Sequence, residues 1–348
     1  MKRRHFHSAV GNRQQVTDNG QITGYTANHL NQYTVVDGST LSYDANGNLS
    51  NTVAGVLGDW SYTYDAQNRL IRVVGGPSSV VAEFYYDARN RCVKRVINGV
   101  TTYLIYDNWS LLEERNLAGN LLARYYHGPV IDELLCRVTA TNTVYYHHDG
   151  LGSTVALTDA PGNVVESYTY DVYGQPSFLS TTYHLLPTSA VTNRFFFTGR
   201  EYLADLALYD YRHRFYSPSL GRFMQTDPMR LDAKDINFYR YVSNCPTIAI
   251  DPLGLIVLES EPDVTWSPPA CRNGETERFI QVVTDAWNHK VPFVDAGRFA
   301  AAGFPSRTPF YKIKKGDAFQ DSPSLAWGGI FRSLPAVHLR RSYNVHYV

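Results

Sequence analysis

Several features are missing or scarce in this 348-residue chain, and each absence removes a class of protein. No apolar run approaches the ~18 residues a transmembrane helix needs, so no helical membrane span is expected. Charge of one sign is not in excess. With 32 Lys+Arg against 32 Asp+Glu, there is no overall electrostatic case for nucleic acid or an anionic membrane. Cysteine is sparse and scattered: Cys92, Cys136, Cys245 and Cys271 form no C-x-x-C, so they read as small apolar residues, not a disulfide framework or zinc site. The histidines at His5 and His7 and at His147-His148 have no Cys or Glu at metal-ligand spacing. Gly150-Leu151-Gly152 lacks the further glycine and following helix of a dinucleotide site and reads as a turn. No cofactor and no metal are therefore expected. The basic start, Met1 to His7, is not followed by an apolar h-region, so no signal peptide is read there.

Tyrosine, by contrast, is abundant, at 26 residues against 16 Phe and 5 Trp. It combines β-propensity with a polar tip and suits strands with one face toward water. Tyr43, Tyr64, Tyr86, Tyr106, Tyr126, Tyr146 and Tyr170 recur at intervals of 21, 22, 20, 20, 20 and 24 residues. Five are followed by aspartate (Asp44, Asp65, Asp87, Asp107, Asp171) and two by histidine (His127, His147). Tyr43-Asp44-Ala45-Asn46-Gly47-Asn48-Leu49, Tyr64-Asp65-Ala66-Gln67-Asn68-Arg69-Leu70 and Tyr86-Asp87-Ala88-Arg89-Asn90-Arg91-Cys92 are copies of one unit. Each reads as strand, turn, strand. Asp can accept from the backbone two residues on, and Gly or Asn can take the positive φ a turn requires. One such hairpin cannot bury its own apolar face, so the units must join in an extended sheet. The Tyr-Asp pairs then have a structural role, Tyr packing and Asp closing the turn.

On these tandem Tyr-Asp units the sequence resembles the Rhs/YD-repeat proteins. Further motifs carry the resemblance: Tyr145-Tyr146-His147-His148-Asp149-Gly150-Leu151-Gly152-Ser153-Thr154, Phe197-Thr198-Gly199-Arg200-Glu201, and Arg214 through Phe223. It runs on through Asp227-Pro228 and Asn237 to Asn244, ending at Asp251-Pro252-Leu253-Gly254-Leu255, like an Rhs-repeat-associated core. The resemblance implies a mainly β fold, in which a YD-repeat antiparallel ribbon spirals into a hollow shell that a core plugs at one end. It implies a single-turnover, aspartyl-type autoprotease that cuts after Asp-Pro-x-Gly-Leu and frees a polymorphic C-terminal effector. Carried over by position, the acidic pair is Asp227 and Asp251, the basic partner Arg214, and the scissile bond Leu255–Ile256. Arg222 competes for the basic role. Two carboxylates held close share a proton, one serving as base on water and the other polarising the carbonyl.

The expected organisation is a β-shell over 1–182, a β-rich core with short helical turns over 183–255, and a small α+β effector tail over 256–348. Residues 183–193 break the repeat and read as a connector. In the tail, Phe279, Ile280, Val283 and Trp287 fall on one helical face between Glu275 and Asn288, and no spacing there specifies an activity. Expected partners are an immunity protein for the tail and an upstream shell or secretion partner. The expected location is outside the cell by a non-classical route, after a cytoplasmic stage. Seven repeats are few for a complete cocoon, which leaves open a fragment of a longer shell, a reading frame begun late or a displaced gene tail. Two departures from the family pattern bear on the site: Met229-Arg230 follows Asp227-Pro228 where a Gly is usual, and Cys245 replaces a second Asn. A changed turn there would misplace Asp227. The competing reading is a non-catalytic scaffold or glycan-binding surface with an inactive core.

Overall fold

The computed structural model describes residues 3–233 and 235–255, and by backbone alone the short strand Leu258–Glu259. The described residues up to Leu258 belong to one compact unit. Ile256, the expected helix at 275–288 and the rest of the tail lie outside the described residues.

Nineteen strands, from Arg4–His7 to Leu185–Leu186, form a single sheet. Strand after strand pairs antiparallel with its sequence neighbour, as in Trp60–Tyr64 with Leu70–Gly75 and Leu70–Gly75 with Val80–Tyr86. Among the described residues there is no α-helix. Burial alternates along the strands, as in Val80, Ala82 and Phe84 buried against Val81 and Tyr85 exposed, which is the period-2 signature of a sheet with one wet face. The connector differs from its sequence reading in one respect. Leu185–Leu186 adds a last short strand against Phe178–Leu179 before the chain leaves the sheet.

The repeat motif explains itself at atomic level. In the Asp65 turn, the carboxylate Oδ1 accepts from the backbone N–H of Gln67 (2.9 Å) and Arg69 (3.0 Å). Asp44, Asp87, Asp149 and Asp171 accept from the second and fourth residues after them in the same way. The third residue after each Asp carries the left-handed φ, at Gly47 (87°), Asn68 (61°), Asn90 (66°), Gly152 (83°) and Gly174 (89°). The tyrosine that precedes the turn reaches back one unit. Tyr64 donates to the Leu49 carbonyl (2.9 Å) and Tyr86 to the Leu70 carbonyl (2.7 Å). His127 substitutes for a tyrosine there, its Nε2 lying 2.7 Å from the Leu111 carbonyl. Each polar tip thus satisfies a carbonyl 15 or 16 residues back, in the strand that leaves the previous turn of this kind. Asp107 is the exception, since Asp107 pairs with Ser110 across a two-residue turn. Tyr86→Phe is expected to leave the Leu70 carbonyl unsatisfied at about 1–3 kcal/mol, read as a lower urea midpoint with unchanged slope.

In a sequential antiparallel meander, every second turn falls on the same edge. The YD-type turns share that edge, and residues 193–255 fill the space beside it. Four short strands, Glu201–Leu203, Leu208–Asp210, Phe215–Ser217 and Arg222–Phe223, form a separate sheet in this core, with 3-10 turns at Phe197–Gly199, Arg230–Ala233 and Val242–Asn244. Its centre is aromatic: Tyr209, Tyr211, Tyr216, Phe223 and Tyr241 are buried and packed ring to ring. Contacts from the core then run to turns around the wall. Arg222 reaches Asn12 and Asn31, Tyr239 reaches Gly47, Thr198 reaches Ser153, and Tyr209 reaches Gly174. The wall also curls back on itself, since Arg3 pairs with Asp171 and Arg13 stacks on Tyr173 at 3.8 Å.

Candidate active site

Three core segments converge on one guanidinium. Arg214 sits between the strands Leu208–Asp210 and Phe215–Ser217, Asp227 follows Arg222–Phe223, and Asp251 follows Ala249–Ile250. Arg214 Nη2 lies 2.9 Å from Asp227 Oδ2 and 3.3 Å from Asp251 Oδ2, which puts the two carboxylates within roughly two hydrogen-bond lengths of each other. All three residues are buried. The remaining donors of Arg214 fix its plane: Nε donates to the Gly254 carbonyl (2.6 Å) and Nη1 to the Phe238 carbonyl (3.1 Å), above the Phe223 ring. The competing Arg222 stacks on Tyr33 and donates to Asn12 and Asn31 instead.

The segment that ends at the expected scissile bond is held as firmly. Asp251 Oδ1 accepts from the backbone N–H of Leu255 (3.0 Å), so this carboxylate touches the residue on the N-terminal side of the bond. Upstream, three consecutive side chains engage three consecutive carbonyls. Arg212 donates to Pro252 (2.5 Å), His213 Nδ1 lies 3.0 Å from the Leu253 oxygen, and Arg214 takes Gly254. Gly254 has φ 68°, and a Cβ there would meet the Tyr211 carbonyl oxygen at 2.7 Å, so only glycine fits the close approach.

The sequence departures leave Asp227 in place. Met229 donates its N–H to Asp227 Oδ1 (2.8 Å), closing the turn through the aspartate, while Arg230 adopts φ 49° where a glycine would be unstrained. Cys245 is exposed. Burial pushes the Asp227 carboxyl above the usual aspartate range, against the opposing pull of Arg214. Burial also lowers the Arg214 guanidinium, with both aspartates acting against it. Among the described residues no group of three or more His, Cys, Asp or Glu is placed to hold a metal ion. His147 pairs with Thr158, and His148 stacks on Tyr146.

The model of the teneurin YD-shell family matches residues 2–247. The chain belongs to that family. Among curated relatives, this YD-shell chain is 30% identical over 258 residues to the tRNA nuclease WapA of Bacillus subtilis, covering 71% of this chain and 11% of that protein. It is 32% identical over 207 residues to salivary gland surface protein 1 of Aedes aegypti, covering 55% of this chain and 6% of that protein. A crystal structure of TcdB2-TccC3-TEV resembles it with a TM-score of 0.46 at 16% identity, over 73% of this chain and 17% of that one. The YD-shell chain thus spans about a tenth of the length of the WapA relative.

Proposed function

We propose that this YD-shell protein encloses a C-terminal effector and frees it by one self-cleavage at Leu255–Ile256. The observation that carries this reading is the placement of Asp227 and Asp251 on a single nitrogen of Arg214, with Asp251 also bound to the Leu255 N–H. The two carboxylates share one proton. Asp227, whose proton affinity burial raises, polarises the scissile carbonyl as an acid. Asp251 takes a proton from water, whose oxygen adds to the Leu255 carbonyl carbon. The C–N bond then breaks, the amine of Ile256 leaves with a proton, and Leu255 ends as a carboxylate. On this reading residues 1–182 with the short strand Leu185–Leu186 are wall, the rest up to 255 connector, plug and protease, and 256–348 cargo. An immunity protein would guard the cell against that cargo, and a longer wall or secretion partner would carry it outward.

Intact mass of the purified chain tests the reading. Wild type is expected to split at Leu255–Ile256, with Asp227→Asn and Asp251→Asn slowed by more than about 1,000-fold and recovered whole. The wild-type rate is expected to fall as pH rises through the raised pKa of Asp227, because the acid form is then lost. A folded, uncut wild type would overturn cleavage and favour the second reading, a non-catalytic binding shell. One feature favours that alternative. On the outer face Tyr85 and Tyr103 flank Lys94, and Tyr126 and Tyr145 flank Cys136, giving exposed aromatic rows of a kind that stack on sugars.

A further inference from the structure

The cleavage segment is gripped from the wall as well as from the core. Arg212 donates at once to the Pro252 carbonyl (2.5 Å) and to Asp132 Oδ1 (2.5 Å), and Asp132 lies in a wall turn about 120 residues before the expected cut. Both side chains of this pair are nearly buried. Both residues also hold left-handed backbone, Asp132 at φ 60° and Arg212 at φ 69°, although neither is glycine. Such backbone persists where the surroundings fix it. Next to this pair, the Trp109 ring of the neighbouring wall turn lies 5.5 Å from that of His213, whose N–H and Nδ1 both meet the Leu253 oxygen. Arg200 completes the arrangement by donating to Asp132 Oδ1 (3.0 Å) and, through Nε and Nη2, to the Asp210 carbonyl.

We infer that Asp132 is a positioning residue for self-cleavage: acting through Arg212, it fixes the Pro252 carbonyl and thereby the distance of the Leu255–Ile256 bond from the two aspartates. This rests on the cleavage reading above. Its consequence is an order of events. Neither aspartate needs the wall for its contact with Arg214, but the segment is aligned only once the Trp109 and Asp132 turns have closed against the core. Cutting therefore waits for the wall to form, and cargo is not freed from an open shell.

The test is a time course of intact mass on the full chain after refolding, for wild type, Asp132→Asn, Asp132→Glu and Arg212→Lys. Asp132→Asn and Arg212→Lys are expected to cut about 30- to 100-fold more slowly, the scale of a ~1 Å misplacement. Asp132→Glu, which restores the charge, is expected to recover most of the rate. Glu113→Gln, which breaks an outer-wall pair with Arg115 and Arg124, should cut at the wild-type rate. Wall folding is followed separately by urea unfolding in the uncleavable Asp227→Asn background. A folded Asp132→Asn chain cutting within threefold of wild type overturns the inference, as does a loss that only tracks the unfolded fraction. If Asp132→Asn fails to fold, Arg212→Lys decides on the same scale. An uncut wild type removes the cleavage reading and this inference with it, whereas a normal wild type with a normal Asp132→Asn removes this inference alone.

Discussion

Replacing Arg214 by leucine is expected to lower stability by about 3–5 kcal/mol at pH 7 and to stop cleavage. The guanidinium is 3% exposed and meets two carboxylates and two carbonyls. Its removal leaves Asp227 and Asp251 facing each other with no neutralising charge, and strands the Gly254 and Phe238 carbonyls. Buried like charges that cannot separate relieve themselves by taking up a proton. The penalty should therefore shrink in acid. Asp227 already has a folded-state pKa above its unfolded value, so its contribution is fully present below about 3.8 and is lost as pH rises through the folded value. Without Arg214 that folded value rises further, and the loss from pH 5 to pH 7 steepens. Urea unfolding at the two pH values measures this. Arg214→Leu with Asp227→Asn should recover about half the deficit at pH 7, with no recovery of cleavage. Equal deficits at pH 5 and pH 7 would show that lost packing on Phe223, and not charge, accounts for the effect.

What was legible in the sequence was whatever repeats or is local. The Tyr-Asp copies announce themselves because each solves the same problem: a carboxylate for the turn, a residue tolerant of positive φ, and a phenol for the previous unit's carbonyl. Turns before and after the Tyr-Asp series use other residues for the same bonds. Asn28 accepts from Leu30 and Gln32, and Ser180 from Thr182 and His184, so a search for Tyr-Asp passes over them. The convergence of Arg214, Asp227 and Asp251 was accessible through family resemblance, since nothing in spacings of 13 and 24 residues requires it. The carbonyl clamp was not. Arg212-His213-Arg214 reads as an ordinary polar turn, and its partner Asp132 as an ordinary loop acid. Their meaning lies in a contact 80 residues long in sequence, which only the closed wall creates.

The buried ion network between wall and core makes the other large prediction. Arg95 and Glu114 of the wall meet Arg194 and Glu201 of the core, with Tyr125 donating to Glu114 (2.7 Å). Burial pushes the Glu201 carboxyl up, but Arg95 and Arg194 outweigh it and hold it at about 2. Burial and the neighbouring Arg95 bring Arg194 down to about 10, which leaves it charged at neutral pH. Glu201→Gln leaves two guanidiniums, Arg95 buried and Arg194 partly exposed, against one carboxylate and is expected to cost about 3–5 kcal/mol at pH 7. The pH dependence fixes the cause. Because its folded pKa is depressed, Glu201 stabilises fully above about pH 4.5 and loses that contribution as pH falls toward about 2. The wild-type curve should therefore descend across that window, with the Glu201→Gln curve flatter and meeting it at the acid end. Desolvating four charges is itself expensive, so an apolar set, Arg95→Met, Glu114→Leu, Arg194→Met and Glu201→Leu together, is expected to be at least as stable as Glu201→Gln alone. If it also matches wild type, the network adds no net stability and its role is to fix how Arg194 and Glu201 of the core seat against Arg95 and Glu114 of the wall.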